Sequence, residues 1–182
     1  GDAPQGLRRD FAVRIAVVCS DLGIRVPGTK GAALHLEAIT RALAEAGHSI
    51  LLVGVAGHGE PPPVETQLLT HPGRKVGWRR DLQRLRFTTR MVHAAVGAVT
   101  AFQPDVVYER LALFGTAGAR LAACVGAVHV VEINALLAEE SIQWRGLAFA
   151  STARARERRV LTSAHARVAV SDELAARVEN YV

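Results

Sequence analysis

The sequence is poor in aromatic residues, in sulfur and in long apolar runs. Phe, Trp and Tyr make up 5% of its 182 residues. That argues against a stacking platform for single-stranded nucleic acid, which takes an aromatic ring for successive bases. The core must instead be built from Ala, Val, Leu and Ile. Cys19 ends an apolar run and Cys124 sits in an Ala-rich helical pattern. Neither has a Cys or His at metal-ligand spacing, so both are expected to be buried thiols and the chain reads as intracellular. No apolar stretch reaches the roughly 18 residues that a membrane span needs. The start, Gly1 to Asp10, is polar and unlike a signal peptide, and residues 1–12 read as a tail. No His-Glu or His-Cys cluster suggests a metal site. The spacings GxGxxG and GxxxxGK[ST] are missing, which disfavours a dinucleotide fold or a P-loop ATPase. The GxSxG elbow of the α/β-hydrolases is missing too. There is no internal repeat and no low-complexity tract.

What is present is an ordinary globular balance: 49% hydrophobic and 21% charged residues. That composition buries a core rather than leaving the chain disordered, and the length suits one domain or half of a larger enzyme. The net charge is +5. Excess Arg suggests an anionic partner, and an Arg-rich proteome explains it equally well. The stretch Arg74–Arg90 concentrates the charge: Arg74, Lys75, Arg79, Arg80, Arg84, Arg86 and Arg90 surround Trp78, with only Asp81 against them. This suits contact with a membrane surface or an acidic substrate, and it also suits a plain solvated helix face. Arg154, Arg156, Arg158 and Arg159 form a second cluster, broken by Glu157. No nucleic-acid recognition module is evident, so nucleic acid is not the expected partner.

Short apolar runs alternate with helical patterns. Val13–Ser20, Ser49–Gly54, Asp105–Tyr108, Ala127–Ile133 and Ala166–Val170 read as strands, and Val64–Thr70 as a weaker one at an edge. From Gly31 the apolar stripe Ala32, Leu36, Ile39, Leu43, Ala46 predicts a helix that Gly47 stops. Leu82, Leu85, Thr89, Val92, Val96 and Val99 predict a second helix closed by Pro104, and Leu113–Val125 a third. Glu139–Ser163 reads as mostly helical with a break at Gly146, and Ser171 caps a last helix. The alternation predicts an α/β domain with a mainly parallel sheet covered on both faces. The chain stops at Tyr181–Val182 straight after a helical pattern, and the natural protein is expected to continue.

An open parallel sheet binds ligands beyond the carboxyl ends of its strands, which ranks the loops. The first loop holds Gly28, Lys30 and Gly31. Gly31 at a helix start offers free N–H groups, a positive dipole end and room for a phosphate; a turn glycine beside a solvated lysine fits as well. The second loop follows Tyr108-Glu109-Arg110, a carboxylate and a guanidinium side by side. They suit a substrate hydroxyl and an anion, or simply one another. Glu132 lies in an otherwise apolar strand and needs a partner or a raised pKa, and Asn134 follows it. His35, one residue off its stripe, reads as a packing or surface histidine, His48 as a helix cap, and His129 as buried in its strand.

These pieces, in this order, resemble the amino-terminal domain of the family 4 glycosyltransferases, retaining enzymes with two Rossmann-like domains (the GT-B fold). Pro27-Gly28-Thr29-Lys30-Gly31-Ala32 with the helix end Leu43-Ala44-Glu45-Ala46-Gly47-His48 resembles the family's glycine loop and helix. Pro104–Arg110 with Phe114-Gly115 and Gly118 resembles its middle strand, Val131–Ala135 an "EvNap" form, and Val168–Leu174 its closing strand and helix. The resemblance implies a Rossmann-like three-layer αβα sandwich over residues 13–182, with the donor-binding second domain lying beyond it. It implies transfer of a hexosyl group from a nucleotide-diphosphate sugar to a small-molecule, glycan or lipid acceptor, with retention and without a metal or other cofactor. Gly28, Lys30 and Gly31 would approach the donor phosphates. Tyr108, Glu109, Arg110, Glu132 and Asn134 would line the acceptor side, with Glu109 and Arg110 as catalytic candidates. Lys30-Gly31 stands where many relatives have Gly-Gly, and Glu109-Arg110 where many have a histidine. Residues 13–182 alone are expected to be inactive, and the enzyme to work in the cytoplasm, with peripheral contact at the inner membrane face. The alternative is a non-catalytic Rossmann-like module for a small anionic ligand. A following domain with a Glu-x7-Glu pattern would favour the transferase.

Overall fold

The computed structural model describes residues 12–182, so the tail read over residues 1–12 falls, but for Ala12, outside the described residues. Seven strands form one sheet: β1 (Arg14–Cys19), β2 (Arg25–Val26), β3 (Ser49–Ala56), β4 (Glu65–Leu69), β5 (Val106–Arg110), β6 (Val128–Ile133) and β7 (Ala166–Ala169). The helices are α1 (Gly31–Glu45), α2 (Gly77–Phe102), α3 (Ala117–Val125), α4 (Leu137–Arg145), α5 (Ala150–Ser163) and α6 (Asp172–Tyr181). The main ladder runs β3-β1-β5-β6-β7, β4 pairs with β3, and every pairing is parallel. Val55 of β3 pairs with Leu69 of β4 and also with Arg25 of β2. The two partners must lie on opposite edges of β3. Because β1 pairs no further along β3 than Val53, β2 fills that edge beyond it.

Strand alternation divides the core into two layers. Ile15, Val17, Cys19, Ile50 and Leu52 face α1 and meet Ala33 and Leu36. Ala16, Val18, Leu51, Val53 and Val107 face the other way, onto Phe87, Met91, Val99 and Leu121 of α2 and α3. Leu51, Leu52 and Val53 are fully buried, each contributing about 1.5–3 kcal/mol relative to exposure. This is the expected Rossmann-like sandwich.

Several local expectations need adjustment. The loop over residues 21–30 contains β2, and the basic stretch from Gly77 onward is already helical. The fully buried positions of α1 are Ala33, Leu36 and Thr40; of the expected stripe, Leu36 is buried and Ala32 and Leu43 pack half-buried against the same core. Thr40 fits inside because its hydroxyl donates to the carbonyl of Leu36 at 2.7 Å. Cys124 is exposed. On α3 the apolar positions Ala117, Gly118, Leu121 and Ala122 turn inward, which leaves Cys124 outward. His48 does cap α1, its N–H donating to the Leu43 carbonyl at 3.2 Å, while its ring Nδ1 accepts from the Val13 N–H at 3.3 Å. Gly47 (φ 91°) does stop α1, Gly146 separates α4 from α5, and Ser171 Oγ accepts from Leu174 N at 3.2 Å. No helix among the described residues is long and apolar enough to cross a membrane.

Candidate functional site

The loop between β1 and α1 opens a cavity of about 410 Å3 lined by Arg25, Gly28, Thr29, Lys30 and His58, among others. Lys30 is the N-cap of α1 without a side-chain bond to it, and no acidic residue stands in the first turn. The first turn of the helix therefore has no side-chain cap and no carboxylate of its own. A Cβ on Gly31 would meet nothing within 4 Å, so space above this residue is open. Gly28 is different. Its N–H donates to Glu37 Oε1 at 2.9 Å, and a Cβ there would run into the carbonyl oxygen of Arg25 and, at 2.7 Å, into Ala33 Cβ. Gly28 is a glycine because the loop packs on the helix, and its N–H is already committed.

The second cluster sits at the carboxyl ends of β5 and β6, on the α1 face. Arg110 pairs across the ladder with Glu132, and Tyr108 lies two residues back on the same face. Glu132 is 2% exposed and gathers four neighbours. Arg110 Nη1 and Asn134 Nδ2 each donate to Oε1 at 2.6 Å, and His35 Nε2 lies 2.9 Å from it. The Tyr108 hydroxyl donates to Oε2 at 2.8 Å. Burial pushes the Glu132 carboxyl up, but the hydrogen bonds from Asn134 and Tyr108 and the charges of Arg110 and His35 outweigh it and hold the pKa below the usual value. Burial, then the bond to Glu132, raises the Tyr108 phenol. The ion pair that the sequence allowed for Glu132 is thus formed, with Arg110.

Glu109 is not part of this cluster. Adjacent strand residues point to opposite faces, so its carboxylate lies behind the sheet, 1% exposed. It accepts from the N–H groups of Gly118 at 2.9 Å and Ala119 at 3.0 Å, and His129 Nε2 lies 2.9 Å from its Oε2. It caps the positive end of α3, a stabilising place for a buried carboxylate. The expected side-by-side use of Glu109 and Arg110 therefore gives way to two separate networks. The structure brings together Tyr108, Arg110, Glu132 and Asn134 and sends Glu109 elsewhere.

The residue missed is His35. It reaches the cluster from α1 with a side chain 42% exposed against a Glu132 side chain only 3% exposed. An imidazole backed by a buried carboxylate is fixed in orientation and presents its other nitrogen outward. His35 lies one turn beyond Gly31, on the helix that the phosphate reading already placed beside the strand ends. That was the available signal. Chemically, the cluster can orient a hydroxyl between the imidazole and the phenol, while the guanidinium stays anchored to its carboxylate.

Along α2, Trp78 is 56% exposed and Val76, before it, 74%. Pro72, Lys75, Trp78, Leu82, Arg86 and Arg90 help to line an apolar groove of about 440 Å3. Asp81, the one acid in the stretch, is 1% exposed. It accepts from Arg80 Nε at 2.8 Å and from Ala148 N at 3.0 Å, so the outer surface keeps its positive sign.

The sequence profile described as Glycosyltransferase Family 4 matches residues 29–182. No curated protein matches the chain. Among solved structures it is similar to the glycosyltransferase SsfS6 of Streptomyces sp. SF2575, at 16% identity and a TM-score of 0.46. That match covers 82% of this chain and 45% of the other, so the chain spans less than half of that structure's length. The profile runs from the glycine loop through β7 and α6, and on that match the chain belongs to glycosyltransferase family 4.

Proposed function

We propose that residues 13–182 are the acceptor-side domain of an enzyme that transfers a hexosyl group from a nucleotide-diphosphate sugar, with retention at the anomeric carbon and without a metal. A second domain holds most of the donor, so residues 13–182 by themselves do not turn over. The observation that carries the reading is the pairing of two features at the same end of the sheet. One is an open, uncapped helix start at Gly31. The other is the His35–Glu132–Arg110–Tyr108–Asn134 cluster beside it. The helix start suits the departing diphosphate: N–H groups and dipole neutralise charge that grows as the glycosidic bond breaks. Lys30 adds an exposed cation there. The cluster suits the acceptor, whose hydroxyl it orients towards the anomeric carbon. The groove beside Trp78, rimmed by Lys75, Arg86 and Arg90, supports peripheral contact with an anionic membrane face. A lipid-linked acceptor would be met there.

Gly31→Trp in the complete enzyme tests the reading cleanly, because a Cβ at this exposed position meets nothing within 4 Å. With a panel of nucleotide-diphosphate hexoses, the variant is expected to fold normally and lose about a hundredfold in kcat/KM. Proton NMR of the wild-type product should show the donor's anomeric configuration. Undiminished turnover by the variant, or an inverted product, would overturn the proposal.

A further inference from the structure

Behind the sheet, α3 and α5 flank a cavity of about 610 Å3 that no step of the transfer uses. Its floor is His129 of β6, and its walls carry Arg120 from α3 and Arg156 and Arg159 from α5. None of these guanidiniums pairs with a carboxylate among the described residues. Arg120 donates to Thr89 Oγ1 and Arg156 to the carbonyl of Phe114, both at a long 3.3 Å, which leaves most of their donors over. Burial and the facing charge of Arg120 both lower the Arg156 pKa, so the walls repel each other when the cavity holds no counter-charge.

The floor makes the same point from a second direction. His129 is 3% exposed. Its Nε2 is taken by Glu109, yet its Nδ1 is buried without a hydrogen-bond partner. A buried polar atom left unpaired costs free energy, and such atoms are rare unless a water or ligand completes them. With the Nε2 proton held by the Glu109 carboxylate, Nδ1 is left as an unpaired acceptor in the neutral ring. Thr116 and Ser163 add hydroxyls to the lining.

We propose that the α3–α5 cavity is a second binding site, for a phosphorylated small molecule. Planar guanidiniums match phosphate oxygens in fork geometry, several of them suit a multivalent oxyanion, and the volume takes a sugar phosphate or a mononucleotide. The sheet separates this site from the Glu132 cluster, so its occupant is neither the acceptor nor the departing diphosphate. It stands independently of the transfer reading.

Inorganic pyrophosphate is a direct probe for this chain, titrated at constant ionic strength and followed by calorimetry and amide NMR. Saturable binding below about 1 mM is expected, with shifts at residues 116–129 and 156–165. Arg159→Gln, at an exposed position that leaves folding intact, and Arg156→Gln should each weaken binding about tenfold. Lys30→Gln should leave the binding read by the shifts at residues 116–129 and 156–165 unchanged. Absence of saturation, wild-type affinity in both arginine variants, or loss of binding in Lys30→Gln with shifts confined to residues 28–32 would each overturn the proposal.

Discussion

Replacing Glu132 by Gln keeps the shape of the side chain and removes only its charge. Oε1 takes three contacts, at 2.6 Å from Arg110, 2.6 Å from Asn134 and 2.9 Å from His35, and Oε2 takes one, at 2.8 Å from Tyr108. An amide keeps one oxygen and turns an N–H towards a former donor. Bonds to a charged acceptor lose about 1 kcal/mol each when it becomes neutral. Arg110, only 8% exposed, also loses its counter-charge. The sum is about 3 kcal/mol, at the lower end of what breaking a buried ion pair costs. At this chain length that lowers Tm by about 6–12 °C, measurable by calorimetry or circular dichroism. The pH dependence has a fixed sign. The Glu132 pKa is depressed in the folded chain from an unfolded value of 4.5, so its stabilisation is complete above that pH and is lost as pH falls through the folded value. Gln does not titrate. The gap between wild type and variant should therefore be full at neutral pH and close below about pH 4. A variant melting within roughly 2 °C of wild type at pH 7, or a gap unchanged down to about pH 3, would refute the account.

Two further outcomes follow from the same packing. Gly118→Ala drives a methyl group to 2.5 Å from Glu109 Cβ and 2.6 Å from its Cδ, inside the network that caps α3. It should cost about 1–3 kcal/mol in guanidinium unfolding, and an unchanged midpoint would show that Glu109 does not occupy that space. In thiol titration of the native chain only Cys124 should react quickly. Cys19 is 1% exposed, and burial, helped by the charge of Asp21, pushes its thiol up to about 12. A second fast thiol would mean that α1 does not seal β1.

The strands β1, β3, β5 and β6 were legible to within two or three residues because strands buried on both faces leave unbroken apolar runs. Gly47, Pro104, Gly146 and Ser171 were legible because backbone chemistry at those points is local. The short β2 was not: Arg25 and Val26 pair with the end of β3, about 30 residues away in sequence, and have no composition signal of their own. Glu132 stood out as a carboxylate in an apolar strand that needed a partner, but Arg110 was read beside Glu109 instead. That His35 would reach Glu132, 97 residues away, depends on how α1 lies across the sheet. Glu109 and Arg110 misled for a simpler reason. Their adjacency suggested a joint role, whereas the pleat separates every adjacent pair on a strand.

That separation has a consequence for variation in β5. On the proposed reading, conservative changes at positions 108 and 110 would alter the acceptor side while α3 keeps its anchor, because the intervening carboxylate answers to the opposite layer. In a saturation library scored separately for protein abundance and for product, three consecutive codons would then sort by parity. Substitutions at position 109 would deplete the abundance pool, and conservative ones at 108 and 110 would deplete the product pool first. Such an even–odd stripe lets selection explore specificity along a strand without touching the element beside it.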